Sequence, residues 1–284
     1  MNFFARMINN IHVGECRLSR VISVLTFPGF LAAAGFWFLR DGFYFSNDVL
    51  NKDVPLGHIH SSAALFGYVL MPLLFVFVLR FQGAISAVEM PLLRDRRFGY
   101  MGAVVGSFMV VMHAQWDATE RAGRALEGVE SVLGVEETRD LREALSLSHS
   151  SLDQTMLLLT HELQRYAWVV FLGLLLMYVA VFFGRKLSIH LCGATAVVSA
   201  VIVSLYRLYD DIPRAELGEK VFMMPFQGWG DEWRWPLLSN AVGYGLLLIS
   251  LIYWARRKEK AHSHGELIGG MAVGLFVTAV GSLF

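Results

Sequence analysis

PLGHIHSSAALFGYVLMPLLFVFVLR, residues Pro55 to Arg80, sets the character of the whole chain. Its Ile59–Leu79 portion contains no Asp, Glu, Lys or Arg, and about 20 such residues in a helix cross the ~30 Å of bilayer hydrocarbon. Two histidines, His58 and His60, stand at the mouth of this apolar run. Imidazole is a common ligand for haem iron, copper and zinc, and ionisable side chains are rare in lipid unless something holds them there. The stretch therefore predicts a transmembrane helix and, at one of its ends, a membrane-embedded metal or haem centre.

The same pattern repeats along the chain. Hydrophobic residues make up 55% of the 284 positions, and mean hydropathy is +0.50, well above an ordinary soluble domain. Seven spans are expected: Val21–Phe38, Ile59–Leu79, Phe98–Trp116, Tyr166–Gly184, Ser188–Tyr206, Pro236–Trp254 and Leu267–Phe284. The fold class expected is all-α, a single integral membrane domain over residues 1–284. A helical excursion outside the membrane is expected over 117–165, between spans three and four, and an aromatic and acidic loop over 207–235. The N-terminal MNFFARMINNIHVGECRLSR has neither a compact apolar stretch nor a small-residue cleavage site, so it reads as retained rather than as a signal peptide.

Orientation follows from the short loops. Arg6, Arg17 and Arg20 precede span one, Arg80, Arg94, Arg96 and Arg97 follow span two, Arg185 and Lys186 follow span four, and Arg256, Arg257, Lys258 and Lys260 follow span six. These alternate loops should be cytoplasmic, as in a bacterial inner membrane, with the N-terminus inside. The intervening loops lean acidic, and Asp117–Arg165 carries ten acids against five bases. A net charge of zero and the lack of an aromatic-laced basic surface argue against nucleic acid as a partner.

This topology sorts the nine histidines by side. His58, His60, His113, His149 and His161 fall at the outer face, and His12, His190, His262 and His264 fall inside. On span three, His113, Asp117 and Glu120 lie at i, i+4 and i+7, one helical face where the chain leaves the lipid. SHSSLD repeats the pairing with His149 and Asp153. Such a pair is either a ligating imidazole with its carboxylate orienter or a capped, solvated helix end. His161 and Glu162 precede span four in LLLTHELQRYAWVV, which predicts one long helix from Ser146 to Phe183 and brings His161 toward His58, His60 and His113. Residues two apart differ by about 200° around a helix, so His58 and His60 do not share a face. His60, the deeper of the two, is the better axial ligand. His58 fits the turn after Pro55 and Gly57, where a second metal, a haem propionate or water can meet it.

The Pro55–Arg80 segment resembles the second transmembrane helix of the catalytic subunit of haem–copper oxidases, above all the cbb3-type oxidases and their nitric oxide reductase relatives. In that family an outer-side histidine after a Pro-Leu-like approach ligates the low-spin haem, so the resemblance implies His60 as a haem ligand on a helix running from outside to inside. SNAVGYGLLLISLIYW, Ser239 to Trp254, is similar to the oxidase helix bearing the first copper-ligand histidine in a GHNAVGF segment. Ser239 stands at the ligand position here, followed by Asn240, Ala241, Val242 and Gly243. The family has many more spans and an adjacent His-His copper pair, which this chain lacks. The resemblance thus implies a haem-bearing helix and not dioxygen or nitric oxide reduction.

A b-type haem used for electron transfer takes an imidazole on each side. His60 and His113 form that pair, with His161 as the substitute for either and Arg40, Arg121 or Arg124 near the propionates. The competing expectation is a membrane metalloenzyme, a di-metal oxygenase or a metal-dependent hydrolase. It would hold copper, iron or zinc through His58, His60, His113, Asp117, His149, Asp153 and His161. A third is an assembly or transport subunit whose histidines are interfacial. The 207–235 loop, with Trp229, Trp233 and Trp235 among Asp210, Asp211, Asp231 and Glu232, reads either as an interfacial aromatic belt or as a docking surface for a periplasmic electron carrier or another membrane subunit. Cys16 and Cys192 form no CxxC pair, and no CxxCH, phosphate loop, nucleophile elbow or HExxH occurs. No interrupted helix of the transporter kind is evident, and His262 and His264 read as part of a solvated inner loop.

Overall fold

In hydrocarbon a backbone must satisfy its own N–H and C=O groups, and a helix does so within one segment. The computed structural model of the chain describes residues 17–44, 62–84, 93–133, 151–211, 234–259 and 261–283, and these are helical with short connecting turns and no strand among them. Eight helices follow one another: α1 (Arg17–Leu25), α2 (Pro28–Tyr44), α3 (Ser62–Phe81), α4 (Leu93–Leu133), α5 (Ser151–Phe182), α6 (Ile189–Asp211), α7 (Arg234–Lys258) and α8 (His264–Gly281). Among the described residues, five stretches are long and apolar enough to cross a membrane: Ser62–Phe81, Arg96–Asp117, Thr160–Phe182, Ile189–Arg207 and His264–Gly281. They correspond to expected spans two, three, four, five and seven, and they mark a multi-pass membrane protein. Span six is helical throughout as part of α7.

Span one departs from expectation, because it is two helices and not one. Pro28 has no N–H to give the Val24 carbonyl. Instead the Phe27 N–H reaches back to Val24 O at 3.2 Å, and the Thr26 hydroxyl donates to Ile22 O at 2.7 Å. The continuous apolar pattern of Val21–Phe38 hid this interruption, and the expectation of one unbroken span there is corrected. A second irregularity has the same origin. Pro72 has no N–H for the Tyr68 carbonyl four residues earlier, and the helix widens over Phe66–Leu70 into a π turn in which the Met71 N–H bonds Phe66 O.

Association of helices in lipid draws on close packing and hydrogen bonds, since lipid tails are as apolar as the side chains. The centre of the bundle is α6, which packs against α2, α5, α7 and α8, while α4 pairs with α3 and α5, and α1 lies on α7. Two sets of small residues let backbones approach. A Cβ at Gly67 would collide with the Gly106 carbonyl, and one at Gly106 with the Gly67 carbonyl, so α3 and α4 cross at this pair. Gly270 and Gly274 of α8 rest likewise on the carbonyls of Ser188, just before α6, and Cys192 within it, and further along Ser199 and Thr278 share a 2.7 Å hydrogen bond. Phe36 stands edge-on to Tyr68 and Tyr166 in the core, and the Tyr166 hydroxyl donates to Ala32 O at 2.8 Å. Large apolar side chains such as Phe77, Phe108, Leu247 and Phe276 face outward, the surface that acyl chains would cover.

The bundle has two unlike ends. At one, called the basic end below, lie Arg96, Arg97, Arg185, Lys186, Arg256, Arg257 and Lys258. At the far end α4 continues to Leu133, well beyond the Asp117 limit of its apolar stretch, and α5 begins at Ser151, nine residues before Thr160. Helix therefore extends into both flanks of the expected 117–165 excursion. Residues 134–150 within it, and 212–233 within the 207–235 loop, lie outside the described residues.

Candidate functional site

At the far end, α4 and α5 run antiparallel and are cross-linked where the Gln164 side chain donates to that of Gln115. Two residues earlier on α5 sits Glu162, 3% exposed, ion-paired with Arg165 and lying 3.9 Å from the guanidinium of Arg207 on α6. Arg207 also donates to the Ser282 carbonyl just past α8, so one carboxylate and one arginine join α5, α6 and α8. His161 is exposed beside this group. Together with Gln164, Arg165, Trp168 and Leu172 it lines a cleft of about 340 Å³.

The crossing of α3 and α4 fixes where His113 points. Residues seven apart share a helical face, since each advances about 100°. Gly106 and His113 are seven apart, as are Phe108 and Gln115. The Gly106 face meets α3 at Gly67, and the face of Phe108 and Gln115 meets α5 at Phe171 and Gln164. His113 therefore looks toward α3, on the side of α4 away from His161. It is half-buried, as is Asp117 one turn beyond it on the same face. The two described histidines of the expected cluster lie at one end of the bundle but on different sides of α4.

The other members divide by what is described. His58, His60 and His149 lie outside the described residues, and so do the side chains of Asp153, Arg40, Arg121 and Arg124, although the backbone at these last four is helical. Among the described residues no three His, Cys, Asp or Glu side chains come together as a metal-binding group.

Sequence reasoning passed over the basic end, where the structure builds a second polar cluster. The Ser23 hydroxyl donates to Glu259 at 3.0 Å and Arg256 donates to the same oxygen at 2.9 Å, fastening α1 to the end of α7. Ser263 and Glu266 form a reciprocal cap on α8, and the Ser188 N–H donates to the Glu266 carbonyl at 3.1 Å. His262 does not belong to a solvated loop: it is 6% exposed and bonds Glu266 at 3.2 Å. Burial, with the Arg256 and Arg96 charges close by, pulls its pKa down to about 4 against the opposing bond to Glu266. His264 is exposed, and its Nδ1 meets the Tyr253 hydroxyl. His190, half-buried on α6, has an Nδ1 with no hydrogen-bond partner among the described residues. The S-x-x-E spacing of Ser263 and Glu266 was the readable signal in this region, as it is a helix-start pattern.

Compared with known proteins, the chain matches no protein-family model, no curated protein and no solved structure.

Proposed function

We propose that this chain is a haem-carrying membrane protein that passes electrons near the face opposite its basic end, with His60 and His113 as the axial imidazoles. The α3–α4 crossing is the observation that carries this reading. Counting seven residues outward from Gly106 along α4 reaches His113, and seven outward from Gly67 along the chain reaches His60. Antiparallel helices that touch at Gly67 and Gly106 keep such positions level with each other. A seven-residue step returns to the same face of a helix, so the two histidines stand at matching sequence distances from the crossing. Two imidazoles from neighbouring helices are the donor set of a b-type haem used for electron transfer.

The bound haem would supply one-electron chemistry. The chain's own contribution is a half-buried His113 on the face of α4 turned toward α3 and, through Asp117 one turn from it, a carboxylate near enough in sequence to orient that imidazole. His161 takes a different role from the one its sequence position suggested. With Arg165 and Trp168 on the cleft wall, it belongs to a surface where a soluble electron carrier or another membrane subunit docks. The basic end faces the cytoplasm by the loop-charge rule, which puts the N-terminus inside, the cleft on the periplasmic side and the protein in a bacterial inner membrane.

A reduced-minus-oxidised visible spectrum of the purified protein tests the reading. Paired haem bands are expected. They should be lost in His60→Ala and in His113→Ala and kept in His161→Ala. Bands that survive both of the first two substitutions would overturn the assignment. Bound copper, iron or zinc without haem bands would favour the metalloenzyme, with His58, His149, Asp117 and Asp153 as further ligands.

A further inference from the structure

The two backbone irregularities of the described membrane helices meet at one place. The α1–α2 break and the π turn of α3 both border a cavity of about 50 Å³ in the half of the bundle nearer the basic end, lined in part by Pro28, Tyr68, Pro72, Gly173, Cys192 and Val197. Irregular backbone at membrane depth is tolerated where it is enclosed by protein or lines a cavity, and π turns recur at functional sites. Both conditions hold here. Tyr68 is 2% exposed, and its hydroxyl has no hydrogen-bond partner among the described residues, whereas the neighbouring Tyr166 hydroxyl is bonded to Ala32 O.

We propose that this cavity is a docking site for a neutral, gas-sized molecule of two or three heavy atoms, with the Tyr68 hydroxyl as its hydrogen-bond donor. Size sets the upper limit. One water occupies about 10–15 Å³ of such a volume, and a cavity of roughly 150 Å³ takes benzene, so an aromatic ring does not fit. The wall sets the character of the occupant. Its side chains are apolar apart from the Tyr68 hydroxyl and the Cys192 thiol, while a buried water asks for two to four polar partners. An ion would lose its hydration and meet no opposite charge. Gly173 is the place on the wall from which the cavity can be filled, because a Cβ there would make only ordinary van der Waals contacts, 3.6 Å to Val277 and 3.8 Å to Cys192. The inference is independent of the haem reading, since none of these residues belongs to that site.

Xenon, neutral and close to the proposed ligand in size, is the probe. Crystals of the full-length protein pressurised with xenon should show an anomalous-scattering peak between Tyr68 and Cys192. The peak should disappear in Gly173→Leu, or weaken in Gly173→Ala if the larger substitution does not fold, and it should persist in Tyr68→Phe. No peak in the unsubstituted protein overturns the proposal. So does a peak seen only in Tyr68→Phe, because that result means water held by the hydroxyl fills the cavity. A peak unchanged by filling Gly173 overturns it as well, by placing the xenon elsewhere.

Discussion

The two ends of the bundle hold their carboxylates in opposite ways. At the basic end Glu259 and Glu266 are each shared between two donors: Arg256, three residues away, and Ser23 of α1 for one, His262 and the Ser263 N–H for the other. At the far end a single buried carboxylate, Glu162, faces two arginines on different helices, and its Oε2 has no hydrogen-bond partner among the described residues. The first arrangement is a set of separate clasps, one closing the start of α8 and one fastening α1 to the end of α7. The second couples three helices through one charge beside an open cleft. A region closed by many small bonds resists change piecemeal, whereas one held by a single charged knot loses its support at once when the knot is cut.

That contrast can be broken most directly at Glu162. Removing both cations with Arg165→Ala and Arg207→Ala leaves a buried, uncompensated carboxylate. The expected cost is about 3 kcal/mol, toward the low end of the range for broken buried pairs because both arginines are partly exposed. Unfolding in mixed detergent micelles measures it, and a loss below that of the basic-end variants would erase the distinction. At the basic end Arg256→Ala should cost less, about 1–2 kcal/mol, since Ser23 still donates to Glu259. Ser263→Ala removes one half of the α8 cap and should cost about 1 kcal/mol by the same measurement.

A smaller effect separates the ends by pH. The folded pKa of His262, about 4, lies below its ordinary value of 6.5, so the unfolded chain binds the proton more readily. The stability linked to this group is complete above pH 6.5 and is lost as pH falls from there toward 4. His262→Gln should flatten that slope in a pH series of unfolding curves, and an unchanged slope would remove His262 as its source. The smallest change is expected for Gln115→Ala. The bond it breaks to Gln164 is exposed, and the loss should stay within about 0.5 kcal/mol.

Much of the fold was legible from uninterrupted apolar length. Ile59–Leu79 and Tyr166–Gly184 announce spans because nothing polar breaks them, and the matching helices α3 and α5 are present. Legibility failed where a proline acted inside an apolar run. Pro28 and Pro72 are themselves apolar and leave hydropathy untouched, yet each removes an N–H and redirects the backbone. At the candidate site the grouping of His113 and His161 at one end was readable from loop charge. Their separation around α4 was not, because it depends on which faces the glycine crossing turns toward α3 and α5. His262 was misread for a related reason: the polar sequence KEKAHSHGE gives no sign that Glu266 and the end of α7 will enclose it.

The sequence by itself determined that the chain is a helical, multi-pass membrane protein, since the number of apolar residues in a row settles whether a segment can lie in hydrocarbon. Only the tertiary structure decided which side chains meet. Contacts between helices are set by where small residues allow backbones to approach, as at Gly67 and Gly106, and that is a property of two distant segments at once.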